Sequence, residues 1–129
     1  MREELQEKLF SAYPGLFKQK DLPMSKTCMC WGIDCGDGWY ELLDNACMKL
    51  KDFEELEFKQ VKEKFGSLRI YIKCRYKDYE EAQQIIDDAE AMSEKTCEEC
   101  GDPGELRNVD GWTCTLCLEC ANGRVFQDV

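Results

Sequence analysis

Apolar positions recur with a helical period in three stretches of the chain and with a period of two in a fourth. Leu5, Leu9 and Phe10 share one face of a short helix over residues 2–12, which Tyr13-Pro14-Gly15 stops. Residues 13–38 hold turn formers and cysteines without a clear period and read as irregular. From Trp39 the helical spacing returns, with Trp39, Leu42, Leu43, Ala46, Cys47 and Leu50 on one stripe and Asp37 placed to cap it. Tyr79, Ala82, Ile85, Ile86, Ala89 and Met92 make a third stripe, with Asp78 as its cap and the helix running to about Met92.

Residues 57–77 alternate instead. Leu68, Ile70, Ile72 and Cys74 face one way, while Arg69, Tyr71, Lys73 and Arg75 face the other. This predicts a hairpin turning at Phe65-Gly66 or Gly66-Ser67. Only an even-length loop keeps Val61 with the apolar set; an odd one would drop Lys62 and Lys64 onto the core face. Glu63 then falls among apolar neighbours, where it needs the sheet rim or a cation such as Lys18 or Arg107. The expected fold is α+β: a small hairpin-based antiparallel sheet packed with helices over residues 1–93, followed by a distinct segment over 94–129.

That last segment is set apart by cysteine. The chain has ten cysteines and no histidine. Cys97-Glu98-Glu99-Cys100 and Cys114-Thr115-Leu116-Cys117 are two Cys-x-x-Cys pairs separated by 13 residues, slightly closer than the usual spacing. Four thiolates at about 2.3 Å complete a closed tetrahedral zinc site, so Cys97, Cys100, Cys114 and Cys117 predict one structural Zn²⁺ in a ribbon. Cys120 is a possible substitute ligand. Cys28, Cys30 and Cys35 lie within eight residues and could supply most of a second site, but a fourth ligand is missing. Cys47 and Cys74 sit on apolar faces and read as small core residues. Asp34, Asp37 and Glu41 could hold a hard cation, though Asp37 is already useful as a cap. With no imidazole to activate a thiol, the chain reads as a binding protein rather than an enzyme.

Charge sharpens that reading. The net charge is −10, which argues against binding duplex nucleic acid. Yet residues 58–77 carry seven basic groups and one acidic group. Lys62, Lys64, Arg69, Tyr71 and Lys73 share the outward sheet face, suited to an acidic protein surface or a small phosphorylated ligand. The first 27 residues show no signal-peptide pattern, and no apolar run approaches a membrane span, so a cytoplasmic protein with reduced thiols is expected.

Cys30-Trp31-Gly32 with Cys35-Gly36-Asp37-Gly38-Trp39, Val61-Lys62-Glu63-Lys64-Phe65-Gly66-Ser67-Leu68-Arg69, and Thr96-Cys97-Glu98-x-Cys100-Gly101-x-Pro103-Gly104 together resemble a largely uncharacterised family of small zinc-ribbon proteins of phages and prophages. The resemblance spans about residues 28–120. It implies a phage-type accessory protein in the host cytoplasm that acts by binding. Its expected targets are a host protein, such as a defence effector, or a phosphorylated signal. The alternative is a zinc-ribbon regulatory module that assists nucleic-acid transactions.

Overall fold

The computed structural model describes residues 1–122 and the backbone of a short strand at Phe126–Gln127. The fold is α+β, with four helices and two small sheets among the described residues. Helix α1 (Glu3–Ala12) buries Leu5 and Leu9 and ends as the Tyr13 amide bonds the Leu9 carbonyl. Phe17 then stacks edge-on between Phe10 and Phe58, with ring centroids 5.0 and 5.1 Å apart, tying the chain start to the sheet.

The stretch expected to be irregular contains a two-residue strand, β1 (Ile33–Asp34). It pairs in parallel with β2 (Glu57–Lys64), Ile33 opposite Val61 and Asp34 opposite Lys62. So short a strand leaves no period to read, and its partner lies far along the sequence. Gln6 Oε1 accepts from the Ile33 amide at 2.9 Å, and the N-terminal ammonium donates to the Ile33 carbonyl at 3.2 Å. The outer edge of β1 is thereby occupied.

Helix α2 (Tyr40–Leu50) follows a 3-10 turn at Asp37–Trp39 and buries Leu43, Ala46, Cys47 and Leu50. Asp37 does not cap it: its carboxylate accepts from the Arg2 amide at 2.8 Å. Helix α3 (Tyr79–Ser93) does start after Asp78, yet Asp78 makes no capping bond and pairs with Arg75 at 2.9 Å. The Arg2 backbone amide occupies one carboxylate and the Arg75 guanidinium the other, so neither turns to the helix amides.

Strands β2 and β3 (Ser67–Lys73) form the expected hairpin around Phe65-Gly66. Both turn residues have positive φ (54° and 82°), as a two-residue type I′ turn requires. Val61 therefore faces Ile70, and Lys62 faces Arg69. A bulge between Phe58 and Gln60 leaves Lys59 without a cross-strand partner. Leu68 and Ile70 are buried, Ile72 is half-buried, and Tyr71 and Lys73 are exposed. Arg69 is half-buried, because Glu90 on α3 draws its guanidinium to 3.5 Å. Glu63 uses neither Lys18 nor Arg107; its carboxylate accepts from the Gly66 amide inside the turn at 2.7 Å. The core lies between this sheet and the three long helices, around fully buried Trp39, Phe17, Phe58, Leu9 and Met29.

The second sheet has the order β5-β4-β6, from β4 (Glu105–Val109), β5 (Trp112–Leu116) and β6 (Phe126–Gln127). Another positive-φ pair, Asp110-Gly111, closes β4 onto β5. A single-turn helix, α4 (Leu118–Ala121), follows.

Candidate metal centre and its seat on the body

The first knuckle is shaped by backbone bonds. The Cys97 amide donates to the Asp102 carbonyl (2.7 Å), Gly101 returns its amide to the Cys97 carbonyl (2.9 Å), and the Asp102 amide points at Cys100 Sγ (3.4 Å). Gly101 sits at φ 86°, a conformation that glycine adopts without a Cβ clash. The second knuckle is the start of α4: Cys117 is its N-cap, and its sulfur accepts from the Cys120 amide at 3.4 Å. The sulfurs of Cys97, Cys100, Cys117 and Cys120 all lie within 4.8 Å of one another. Cys100 and Cys117 are 3.7 Å apart. Corners of a tetrahedron with bonds of about 2.3 Å stand about 3.8 Å apart, so this set could hold a metal ion.

Cys114 is not a corner of this cluster. It lies inside β5 opposite Arg107, with its sulfur 3.8 Å from the Arg107 carbonyl. The extended path of β5 carries Cys114 away from Cys117, whereas the turn into α4 brings Cys117 and Cys120 together. The sequence carried the signal: 16 residues separate Cys100 from Cys117, inside the usual range of about 15–20 for paired knuckles. Among the described residues, Cys28, Cys30 and Cys35 join no such grouping; Cys28 is exposed, Cys35 is buried, and Cys30 Sγ faces the Thr27 carbonyl at 3.6 Å.

Burial and mutual hydrogen bonds shift three of these thiols unequally. Burial pushes the Cys97 thiol up, but hydrogen bonds from the Cys117 and Cys100 backbones outweigh it, and Cys97 ends below the ordinary thiol value. Cys120 is raised, first by its hydrogen bond with Cys117 and then by desolvation. Cys100 is raised as well: the Asp102 amide lowers it, but desolvation and then its hydrogen bonds with Cys97 and Cys117 outweigh that amide. Cys97 is thus eased toward the thiolate while Cys100 and Cys120 are held toward the thiol.

Glu98, inside the first knuckle, holds the centre to the body. Its carbonyl accepts from the Gly38 amide (2.6 Å), and its carboxylate accepts from the Gly36 amide (2.8 Å). The Trp39 indole donates to the Thr96 carbonyl at 2.8 Å, and Thr115 Oγ1 donates to the Gly66 carbonyl at 2.7 Å. A Cβ on Gly36 or Gly38 would overlap the backbone of Glu98 or Cys97. The glycine-rich turn, the hairpin turn and the first knuckle, three separate motifs in the sequence, thus meet at one seam. Burial raises the Glu98 carboxyl despite the Gly36 amide that favours its charge. Cys35, beside it, is pushed up to about 12, first by burial and then by Glu98.

On the outer face of the hairpin, Lys62, Lys64, Arg69 and Tyr71 do share one side, with Lys73 opposite Glu57 at the far end. Arg69 is committed to Glu90, while Lys64 Nζ lies 5.6 Å from the centre of the Phe65 ring. Among the described residues, Lys62, Lys64 and Lys73 make no ion pair. No helix among those residues is long and apolar enough to cross a membrane. No protein-family model, no curated protein and no solved structure matches this chain.

Proposed function

We propose that the chain is a binding protein in which Cys97, Cys100, Cys117 and Cys120 hold one structural Zn²⁺, and in which the basic hairpin face engages an acidic partner. The single observation that supports this most is the closure of the sulfur cluster. All four corners are protein thiols, leaving no open position for water or substrate; a site of that kind organises the chain around it rather than performing chemistry. Zinc is the metal that an all-thiolate tetrahedron suits best among the common divalent ions. The ion would hold the two knuckles together, and the Glu98 and Trp39 bonds would pass that rigidity to the seam at the end of the hairpin.

The resemblance noted above makes a phage-type accessory protein in the host cytoplasm the proposed setting. The proposed partner is a host protein, such as a defence effector, or a phosphorylated ligand. Among the described residues, Lys62, Lys64 and Lys73 are the cations of the face that make no ion pair, and the strongly acidic remainder of the chain disfavours duplex DNA.

The test is affinity capture from host lysate with the zinc-loaded chain and with a Lys62→Glu/Lys64→Glu/Lys73→Glu variant. Arg69 is left alone, since reversing it would set two carboxylates together at Glu90. The expected result is one captured protein or phosphorylated compound, lost in the variant while zinc stays at one equivalent. Retention of the partner by a folded variant would move the site elsewhere. Salt-sensitive capture of single-stranded oligonucleotides would favour the nucleic-acid module instead.

A further inference from the structure

We propose that the free edge of β3 receives an extended acidic segment of a protein partner as an added strand, seated in the cleft between β3 and α3. This rests on the reading of the hairpin as the binding surface and names how the partner would be held.

The sheet order β1-β2-β3 leaves β3 at an edge. The two-residue turn makes Lys64 and Ser67 a hydrogen-bonded pair, so Arg69 and Tyr71 also direct their backbone groups toward β2. Leu68, Ile70 and Ile72 must direct theirs outward. One contact verifies the parity: the Leu68 amide leaves the sheet and donates to Ser93 Oγ on α3 at 2.9 Å. Beyond that point, no protein group among the described residues bonds the outward amides and carbonyls of Ile70 and Ile72. They border a cleft of about 350 Å³, walled by β3 and by Tyr79, Gln83, Ile86 and Glu90 of α3. An unpaired strand edge beside such a cleft is a template for another strand.

The side chains around the cleft select the occupant. Along an added strand, alternate residues point to opposite sides. On one side they would meet Ile72 and Ile86, and on the other Lys59, Arg69 and Tyr71. Lys59 is the residue that the bulge leaves unpaired, which frees its side chain for this rim. Arg69 pairs with Glu90, the acidic group of the lining, through Nε at 3.5 Å without a hydrogen bond, so Lys59 and Arg69 together outnumber the one carboxylate at this rim. Aliphatic residues alternating with acidic ones fit both sides. Pairing with the β3 edge of a second copy would instead bring two segments rich in lysine and arginine against each other.

The test uses zinc-loaded full chain and a blocked hexapeptide alternating valine and aspartate, with a valine–lysine counterpart. At saturating acidic peptide, the amide protons of Ile70 and Ile72 should exchange at least about tenfold more slowly, and the lysine peptide should have no such effect. Ile72→Pro removes an edge amide without touching the β2 ladder, so it should weaken binding roughly tenfold relative to Ile72→Val. The wild-type chain supplies a control that needs no variant. Of two acidic peptides, N-methylated on every valine or on every aspartate, one should bind at least about tenfold more weakly than the other. No acidic-peptide binding, no slowing at Ile70 and Ile72, or equal affinity of the two methylated peptides would overturn the proposal. Should the lysine-to-glutamate triple lose a captured host protein that Ile72→Pro keeps, the basic face stands and strand addition falls.

Discussion

Replacing Gly38 by alanine tests whether the metal centre braces the body or merely hangs from it. An alanine Cβ at this position would overlap the Cys97 carbonyl and approach the Glu98 carbonyl carbon and oxygen to 2.6 Å, and all three are backbone atoms that cannot swing aside. The knuckle must lift. Lifting it breaks the Gly38–Glu98 bond, the Gly36 bond to the Glu98 carboxylate and the Trp39 indole bond to Thr96. At about 1 kcal/mol for each neutral bond and about 2 for the one to a carboxylate, complete undocking would cost about 4 kcal/mol. Partial relaxation brings the expected loss to about 2–4 kcal/mol, a large share of the roughly 5–15 by which domains are stable. All four sulfurs belong to the ribbon, so the variant should keep one equivalent of metal. The assay is urea unfolding in excess zinc, followed by tryptophan emission. Trp39 is fully buried while Trp31 and Trp112 are exposed, so a red shift before unfolding reports the seam opening. Gly15→Ala is the control, since a Cβ there meets nothing within 4 Å. A Gly38→Ala midpoint matching that of Gly15→Ala would refute the reasoning.

Three further outcomes follow from the same geometry. Cys120→Ser should abolish stoichiometric zinc, read by elemental analysis, whereas Cys114→Ser should keep it, because only Cys120 reaches the other three sulfurs. Tyr13 donates to Asp44 at 2.7 Å, and its phenol is raised to about 12, first by burial and then by that carboxylate. An acid held protonated in the fold leaves stability unchanged below about pH 10 and lowers it as pH climbs from about 10 to 12, so Tyr13→Phe should flatten that part of a urea-midpoint profile. With zinc bound, exposed Cys28 should react quickly with a thiol reagent, while Cys47, fully buried and raised by desolvation, should react only on unfolding; a fast Cys47 would contradict its place in the core.

What the sequence determined by itself is what local periodicity can encode. Period 3.6 placed the buried face of α2 and the middle of that of α3 at Ala82 and Ile86, although Tyr79 and Met92 at the ends of the α3 stripe are exposed. Period two placed Leu68 and Ile70 inside with Tyr71 and Lys73 outside. Loop parity settled which face the lysines take, because a one-residue slip would have buried them. The first Cys-x-x-Cys was legible for a similar reason: two sulfurs three residues apart in a tight turn necessarily converge. The second was ambiguous, since Cys114, Cys117 and Cys120 repeat the same spacing. Choosing between the two pairs needs the chain path, and that path runs extended through Cys114 and turns only after Cys117. The tertiary structure likewise decided the pairing of β1, the diversion of Asp37 to Arg2, and the seating of Glu98 on Gly36 and Gly38. Each is a contact between residues dozens of positions apart, made by groups whose local pattern is compatible with many partners. Only the packing of the whole chain selects one.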